Sequence, residues 1–227
     1  MRILIADHAA APVTPGDPID DAGIDALYAS TEPLLRLNFV ATLDGAATGS
    51  DGRSGTINSD ADHRGFTAMR RAADVLLVGA GTARAEGYGP AGTPMVVISS
   101  RPELPKSARG GGVVLATTRS SGATAGERVW LCGEDSVDLA VVVSRARETF
   151  GPHLLCEGGP TLAAELVAAG LVDELALSWT PQLVGGGRDS HPRVLDGEAV
   201  DMELTCRHLL EEDGTLLGLW RVSGRSR

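Results

Sequence analysis

The stretch His153-Leu154-Leu155-Cys156-Glu157-Gly158-Gly159-Pro160-Thr161-Leu162 constrains the fold of this chain more than any other. Leu154, Leu155 and Cys156 form a short apolar run of the kind a central parallel strand carries when it is covered on both faces. Gly158 and Gly159 permit a sharp turn, and Pro160 suits the first helical position, where its missing N–H costs nothing. The pattern predicts a helix from 160 to about 169, stopped at Gly170. A strand that turns at once into a helix is an anion site. Bare backbone lets a ligand approach the unpaired N–H groups of the helix start, and the dipole there favours negative charge. A dinucleotide pyrophosphate has the right chemistry. Two glycines also make a tight turn with no ligand, so other segments have to decide.

They repeat the pattern. Leu35, Leu37 and Phe39 share one face of a strand over 35–42, and Asp44-Gly45 breaks it at its carboxyl end, where ligands gather in open α/β sheets. Asp44 is thus either a site acid or a plain turn former. Residues 46–57 are small, polar and glycine-rich, which suits a flap over a pocket or an ordinary surface loop. Ser59-Asp60-Ala61-Asp62 predicts a helix start, with a Ser cap and a carboxylate three residues on, and Phe66, Met69 and Ala73 as the buried stripe. Arg64, Arg70 and Arg71 decorate a solvated face, although Arg64, near the helix start, is placed to meet a substrate phosphate. Val75-Leu76-Leu77-Val78 is a second buried strand. It ends in Gly79-Ala80-Gly81-Thr82, a second glycine turn behind a strand, with a loop carrying Glu86 from residue 84 to 89.

Met95-Val96-Val97-Ile98 is a third strand, ended by Ser99-Ser100-Arg101-Pro102. A carboxylate at the end of the adenosine-side strand holds free ribose hydroxyls, whereas Ser and Arg suit an added 2′-phosphate, so Ser99 and Arg101 favour NADPH over NADH. A basic turn before Pro102 is the plain alternative. Further strands are expected at 113–116, 129–132 and 174–180, and a helix over 139–150 capped by Asp138. Glu212-Asp213-Gly214 between two alternating runs signals a β-hairpin. Residues 1–33 read as a packed N-terminal arm with one short helix near 19–29, and 34–227 as a single domain.

A chain of 227 residues that is 43% hydrophobic buries a full core, and its formal charge of −10 argues against a phosphate-tracking nucleic-acid binder. Cys132, Cys156 and Cys206 make neither a zinc motif nor a disulfide framework. The apolar run at the start is too short for a signal peptide and no later run is of membrane-spanning length, so a soluble cytoplasmic protein is expected, with no membrane or nucleic-acid partner and no metal.

Taken together, Leu43-Asp44-Gly45, Ala73-Asp74-Val75-Leu76-Leu77-Val78-Gly79-Ala80-Gly81-Thr82, Glu157-Gly158-Gly159-Pro160-Thr161-Leu162 and Val172-Asp173-Glu174-Leu175 resemble the reductase domain of the bifunctional riboflavin-biosynthesis deaminase-reductase. The resemblance runs from about residue 34 to 222. It implies a dihydrofolate-reductase-like, three-layer α/β/α fold with a mixed, mainly parallel sheet and a C-terminal antiparallel hairpin, assembled as a homodimer. It also implies NADPH as cofactor and reduction of a phosphorylated pyrimidine, 5-amino-6-(5-phosphoribosylamino)uracil. The zinc deaminase half, with its His-x-Glu and Pro-Cys-x-x-Cys ligands, is not in this sequence.

On matching positions the resemblance puts Asp44 beside the nicotinamide and Glu86 near the sugar, either of them orienting or relaying the proton that accompanies hydride. Gly79, Gly81, Thr82, Glu157, Gly158, Gly159, Pro160 and Thr161 would hold the cofactor, with Ser99 and Arg101 at its adenosine end. Asn38, Ser59 and Arg64 match substrate-side positions. Biosynthetic members of the family commonly carry Lys where Asn38 stands and Trp near Ile57, so this pocket lacks that charge and that stacking surface. An NADPH reductase of a pteridine on the same fold, and a nucleotide-binding protein without turnover, are the alternatives.

Overall fold

All of Leu34–Thr42 is buried. A strand with both faces covered belongs in the middle of a sheet, and this one, β2, lies there. The computed structural model describes residues 1–7, 13–90, 92–186, 190–198 and 201–225. Its strands are β1 (Arg2–Ala6), β2 (Leu34–Thr42), β3 (Val75–Gly79), β4 (Met95–Ile98), β5 (Val113–Thr117), β6 (Val129–Leu131), β7 (His153–Cys156), β8 (Glu174–Thr180), β9 (Met202–Glu212) and β10 (Thr215–Arg225). They form one 10-stranded sheet in the order β1-β9-β10-β8-β2-β7-β3-β4-β5-β6. From β8 through β6 every neighbour is parallel, while β8/β10, β10/β9 and β9/β1 are antiparallel.

Helices cover both faces. On one side α4 (Leu139–Phe150) and α5 (Pro160–Ala168) bury Val142, Val143, Ala146, Leu162 and Leu166 against Leu35, Leu37 and Leu154. On the other, α1 (Asp21–Tyr28), α2 (Asp60–Arg71) and α3 (Ala80–Ala85) pack Ile24, Leu27, Ala68, Met69 and Ala83 onto Leu76, Val78 and Leu217. The expected three-layer α/β/α architecture is the one observed. The hairpin forms where Asp213-Gly214 was read as its turn, both residues taking the positive φ (50° and 78°) that a tight two-residue turn demands.

Three local readings change. Residues 84–85 are not loop: α3 starts directly at Ala80 and runs to Ala85, and Gly87 at φ 72° ends the region. The segment expected as an arm carries α1 as read but also a strand, since Arg2–Ala6 pairs with β9 and Ile3 is 1% exposed. The alternation that marks a half-buried edge strand is masked there by the continuous run Ile3-Leu4-Ile5. Finally, Ser59 caps α2 by accepting from Asp62 N at 3.2 Å, but the Asp62 carboxylate does not complete the box. Ser59 N donates to Asn58 Oδ1 at 2.6 Å instead. Among the described residues no helix is long and apolar enough to cross a membrane.

Candidate active site

The carboxyl ends of β2, β3, β4 and β7 open into one cavity of about 1460 Å³. Its first half is backbone. β7 ends at Cys156, and Glu157-Gly158-Gly159 leads into α5 with Pro160 at the first helical position, as the sequence predicts. Gly158 takes φ 94°, and a Cβ there would sit 3.1 Å from the Phe39 ring, so two separate constraints exclude a side chain. A Cβ at Gly159 would stand 2.5 Å from Thr82 Oγ1. The two glycine turns touch each other: Gly79 N donates to Gly158 O at 2.7 Å. A Cβ at Gly81 would meet nothing within 4 Å, so the space above this turn is open. Gly79, Gly81, Thr82, Gly159, Pro160 and Thr161 line the cavity, whereas Gly158 shapes the turn from behind. Ser99 and Arg101 line it at the end of β4, where Ser99 Oγ accepts from Arg101 N at 3.0 Å. This bare, helix-headed wall could hold an anionic cofactor: Gly159, Pro160 and Thr161 leave the helix start open to the cavity, and Arg101 adds a cation at the β4 end.

The second half is built from side chains. Glu157, read as a cofactor residue, is 7% exposed and holds the turn in place: Arg70 Nε and Nη2 donate to its two oxygens at 2.7 and 2.6 Å, and the Tyr88 hydroxyl donates at 2.6 Å. Arg70 also lies 4.2 Å from the Phe66 ring centroid. This brace ties α2, the glycine turn and the chain after α3 into one wall. Glu86 lines the cavity, and its Oε1 accepts from both Ser54 N (2.8 Å) and Ser54 Oγ (3.0 Å). That bond fastens residues 46–57, whose only helical turn is Ser54–Thr56 and whose last residue, Ile57, is 1% exposed. Asn38 lines the cavity from β2.

Three expected residues stand elsewhere. Asp44 is outside this cavity, beside a depression of about 530 Å³. Its carboxylate accepts from the Thr42 hydroxyl and from Gly185 N at 2.7 Å, and the Thr42 bond first, then that from Gly185, holds its pKa below the usual carboxylate value. A carboxylate so engaged fastens a loop. Arg64 does not line this cavity: it donates to Glu212 at 2.7 and 2.8 Å and to Asp21 at 2.8 Å, on the side of α2 that meets α1 and the hairpin. Ser59 is spent on its cap and on Thr215, whose hydroxyl donates to it at 3.0 Å.

Sequence reading missed Asp62, Phe66, Arg70 and Tyr88, all of which line the cavity. A signal was present. Asp62, Phe66 and Arg70 recur every four residues, which sets them in one row on α2, but Asp62 also reads as part of the helix cap, Phe66 as core and Arg70 as solvated.

A 2,5-diamino-6-ribosylamino-4(3H)-pyrimidinone 5′-phosphate reductase from Methanothermobacter thermautotrophicus is 29% identical over 208 residues, covering 80% of this chain and 95% of that protein. The crystal structure of a pyrimidine reductase-like protein from Corynebacterium diphtheriae superposes with a TM-score of 0.69 at 20% identity, over 85% of this chain and 92% of that one. Dihydrofolate reductase from Enterococcus faecalis superposes at 0.52 with 13% identity, over 84% and 97%, so the fold is of the dihydrofolate-reductase type. The model of the RibD C-terminal domain matches residues 33–216, and the chain belongs to that family.

Proposed function

We propose that this protein is an NADPH-dependent reductase acting on a phosphoribosylaminopyrimidine of riboflavin biosynthesis. The observation that carries the reading is the single cavity in which a backbone cradle at Gly79–Thr82 and Gly159–Thr161 faces a pocket of polar side chains. Bound NADPH supplies the hydride, delivered to the ring-opened sugar carbon of the substrate. The residues do the rest. The N–H groups at the start of α5 hold the pyrophosphate without a charged side chain, while Glu157, Arg70 and Tyr88 keep that turn rigid. Ser54–Thr56, held by Glu86, walls the reacting carbon from water, and Glu86 is the cavity carboxylate nearest to the role of proton relay.

The cofactor choice rests on Arg101 and Ser99, which offer a cation and a hydroxyl in place of an acid. Arg101→Ala should reduce the preference for NADPH over NADH by about tenfold or more, read as the ratio of the two dissociation constants; an unchanged ratio removes Arg101 from the site. A homodimer is part of the proposal, and sedimentation of the purified chain checks it. The reaction itself is tested by following loss of NADPH absorbance with the 5′-phosphorylated ribosylaminopyrimidine, as the diaminopyrimidinone and as its deaminated uracil. Oxidation with either supports the reading. Oxidation with neither defeats it.

A further inference from the structure

We propose that Asp62 reads the pyrimidine ring and selects a 2-amino-4-oxo ring over the corresponding uracil. The inference deepens the reductase reading and rests on it. Asp62 is 4% exposed, yet it lines the cavity from the first turn of α2. A carboxylate at that helical position ordinarily reaches back to the cap N–H. Here Asn58 Oδ1 accepts that bond, and Asp62 turns inward to the sheet, close enough to the Ser178 hydroxyl for it to favour the charged carboxylate. Among the described residues it forms no ion pair with a basic side chain; His63 on its own helix contributes only a long-range attraction.

Asn38 supplies the second observation. Residues 38 and 40 of β2 pair with Ala176 and Ser178 of β8, so Asn38 and Ser178 point to the same face of the sheet, the one α2 covers. Asn38 is 9% exposed, lines the same cavity, and its Oδ1 has no hydrogen-bond partner. A buried carboxylate without a counter-ion and a buried carbonyl without a donor, lining one cavity, are a costly arrangement, and both call for N–H groups from a ligand.

A 2-amino-4-oxopyrimidine presents an N3–H and a 2-amino N–H side by side, spaced to meet both oxygens of a carboxylate as a guanidinium does. Uracil keeps the N3–H but sets a carbonyl beside it. One carboxylate oxygen would then face an acceptor at a buried position, where an unmatched pair is most unfavourable. The ring is therefore chosen before deamination at C2, and the deaminated ring is rejected.

The test uses the full chain with NADPH and the two rings, each as its ribosylamino 5′-phosphate. The unaltered protein should show a kcat/KM at least about 100-fold higher on the 2-amino ring. Asp62→Asn places an amide donor opposite C2, so it should lower kcat/KM on the 2-amino ring while keeping or raising it on the uracil, collapsing the ratio by about 100-fold. NADPH affinity should not change in the variant, which shows that the cavity still forms. Equal loss on both rings, or a preference of the unaltered protein for the uracil, overturns the assignment and leaves the reductase reading standing. Reduction of neither ring overturns both.

Discussion

Burial pushes the Asp62 carboxyl up to about 6, against a smaller pull downward from the Ser178 hydroxyl and His63. The titratable groups facing it are His63 on α2 and Tyr28 on α1. Because the folded value lies above the unfolded one, the native protein binds the extra proton between about pH 4 and 6, and its stability falls as pH rises through that window. Asp62→Asn should therefore raise the melting temperature at pH 8, by an equivalent of at most about 3 kcal/mol, with the gain vanishing near pH 4. A variant equally or less stable at pH 8 would contradict that cost. Gly159→Asp makes the opposite kind of test: a carboxylate at the proposed pyrophosphate site should weaken NADPH binding more than about tenfold in titration. These two residues also mark the limits of legibility. The turn at Gly159 was readable because a glycine pair before a helix-starting proline makes a tight strand-to-helix connection, while the inward direction of Asp62 was not, because an acid in the first helical turn looks the same whether it caps, faces water or faces a cavity.

At the scale of elements, α2 matters more than its composition suggests. Its Arg70 meets Glu157 at the head of the glycine turn, and the Glu157 side chain is only 2% exposed. Arg70→Met would strand that carboxylate with Tyr88 as its remaining partner, and should cost about 3–5 kcal/mol in urea unfolding together with weaker NADPH binding. Loss of stability with unchanged cofactor affinity would show that the brace does not shape the turn. Strand and helix identities were largely legible: the buried runs at 75–78, 95–98 and 154–156, the Asp138 cap, which accepts from Ala140 N and Val141 N, and the Asp213-Gly214 turn all have local causes. Which side of a helix meets the cavity has no local cause. It follows from how α2 packs, and that is why Arg64 was expected at the substrate and Arg70 was not.

For the whole molecule, the antiparallel end of the sheet is joined to the parallel part across β8, and a buried charge cluster lies at that join. Arg36, 3% exposed, donates to Glu174 at 3.0 and 2.7 Å and to Tyr28 O at 2.9 Å, and Arg207 donates to the other Glu174 oxygen at 2.6 Å. Burial alone would raise the Glu174 pKa, but Arg36 and Arg207 more than offset it and hold the carboxyl below its usual value. Arg36→Met should lower unfolding stability by about 3 kcal/mol, and adding Glu174→Met should recover part of it, since the half-paired buried carboxylate is removed and Arg207, its side chain 17% exposed, can turn to water. If the double variant is the less stable of the two, the cluster contributes more than charge balance. Sequence gave no hint of this arrangement, because Arg36 sits between two leucines in a strand that otherwise reads as apolar. The placing of β2 also affects how the protein is made. Its neighbours β7 and β8 lie far downstream, with Arg36 and Glu174 separated by 138 positions. At about 5–20 residues per second of translation, this central strand of the nascent polypeptide, buried along its whole length in the fold, leaves the ribosome roughly 7–30 s before β8 exists. During that interval it is a substrate for chaperones, and fast expression at high temperature would be expected to fill inclusion bodies with this protein.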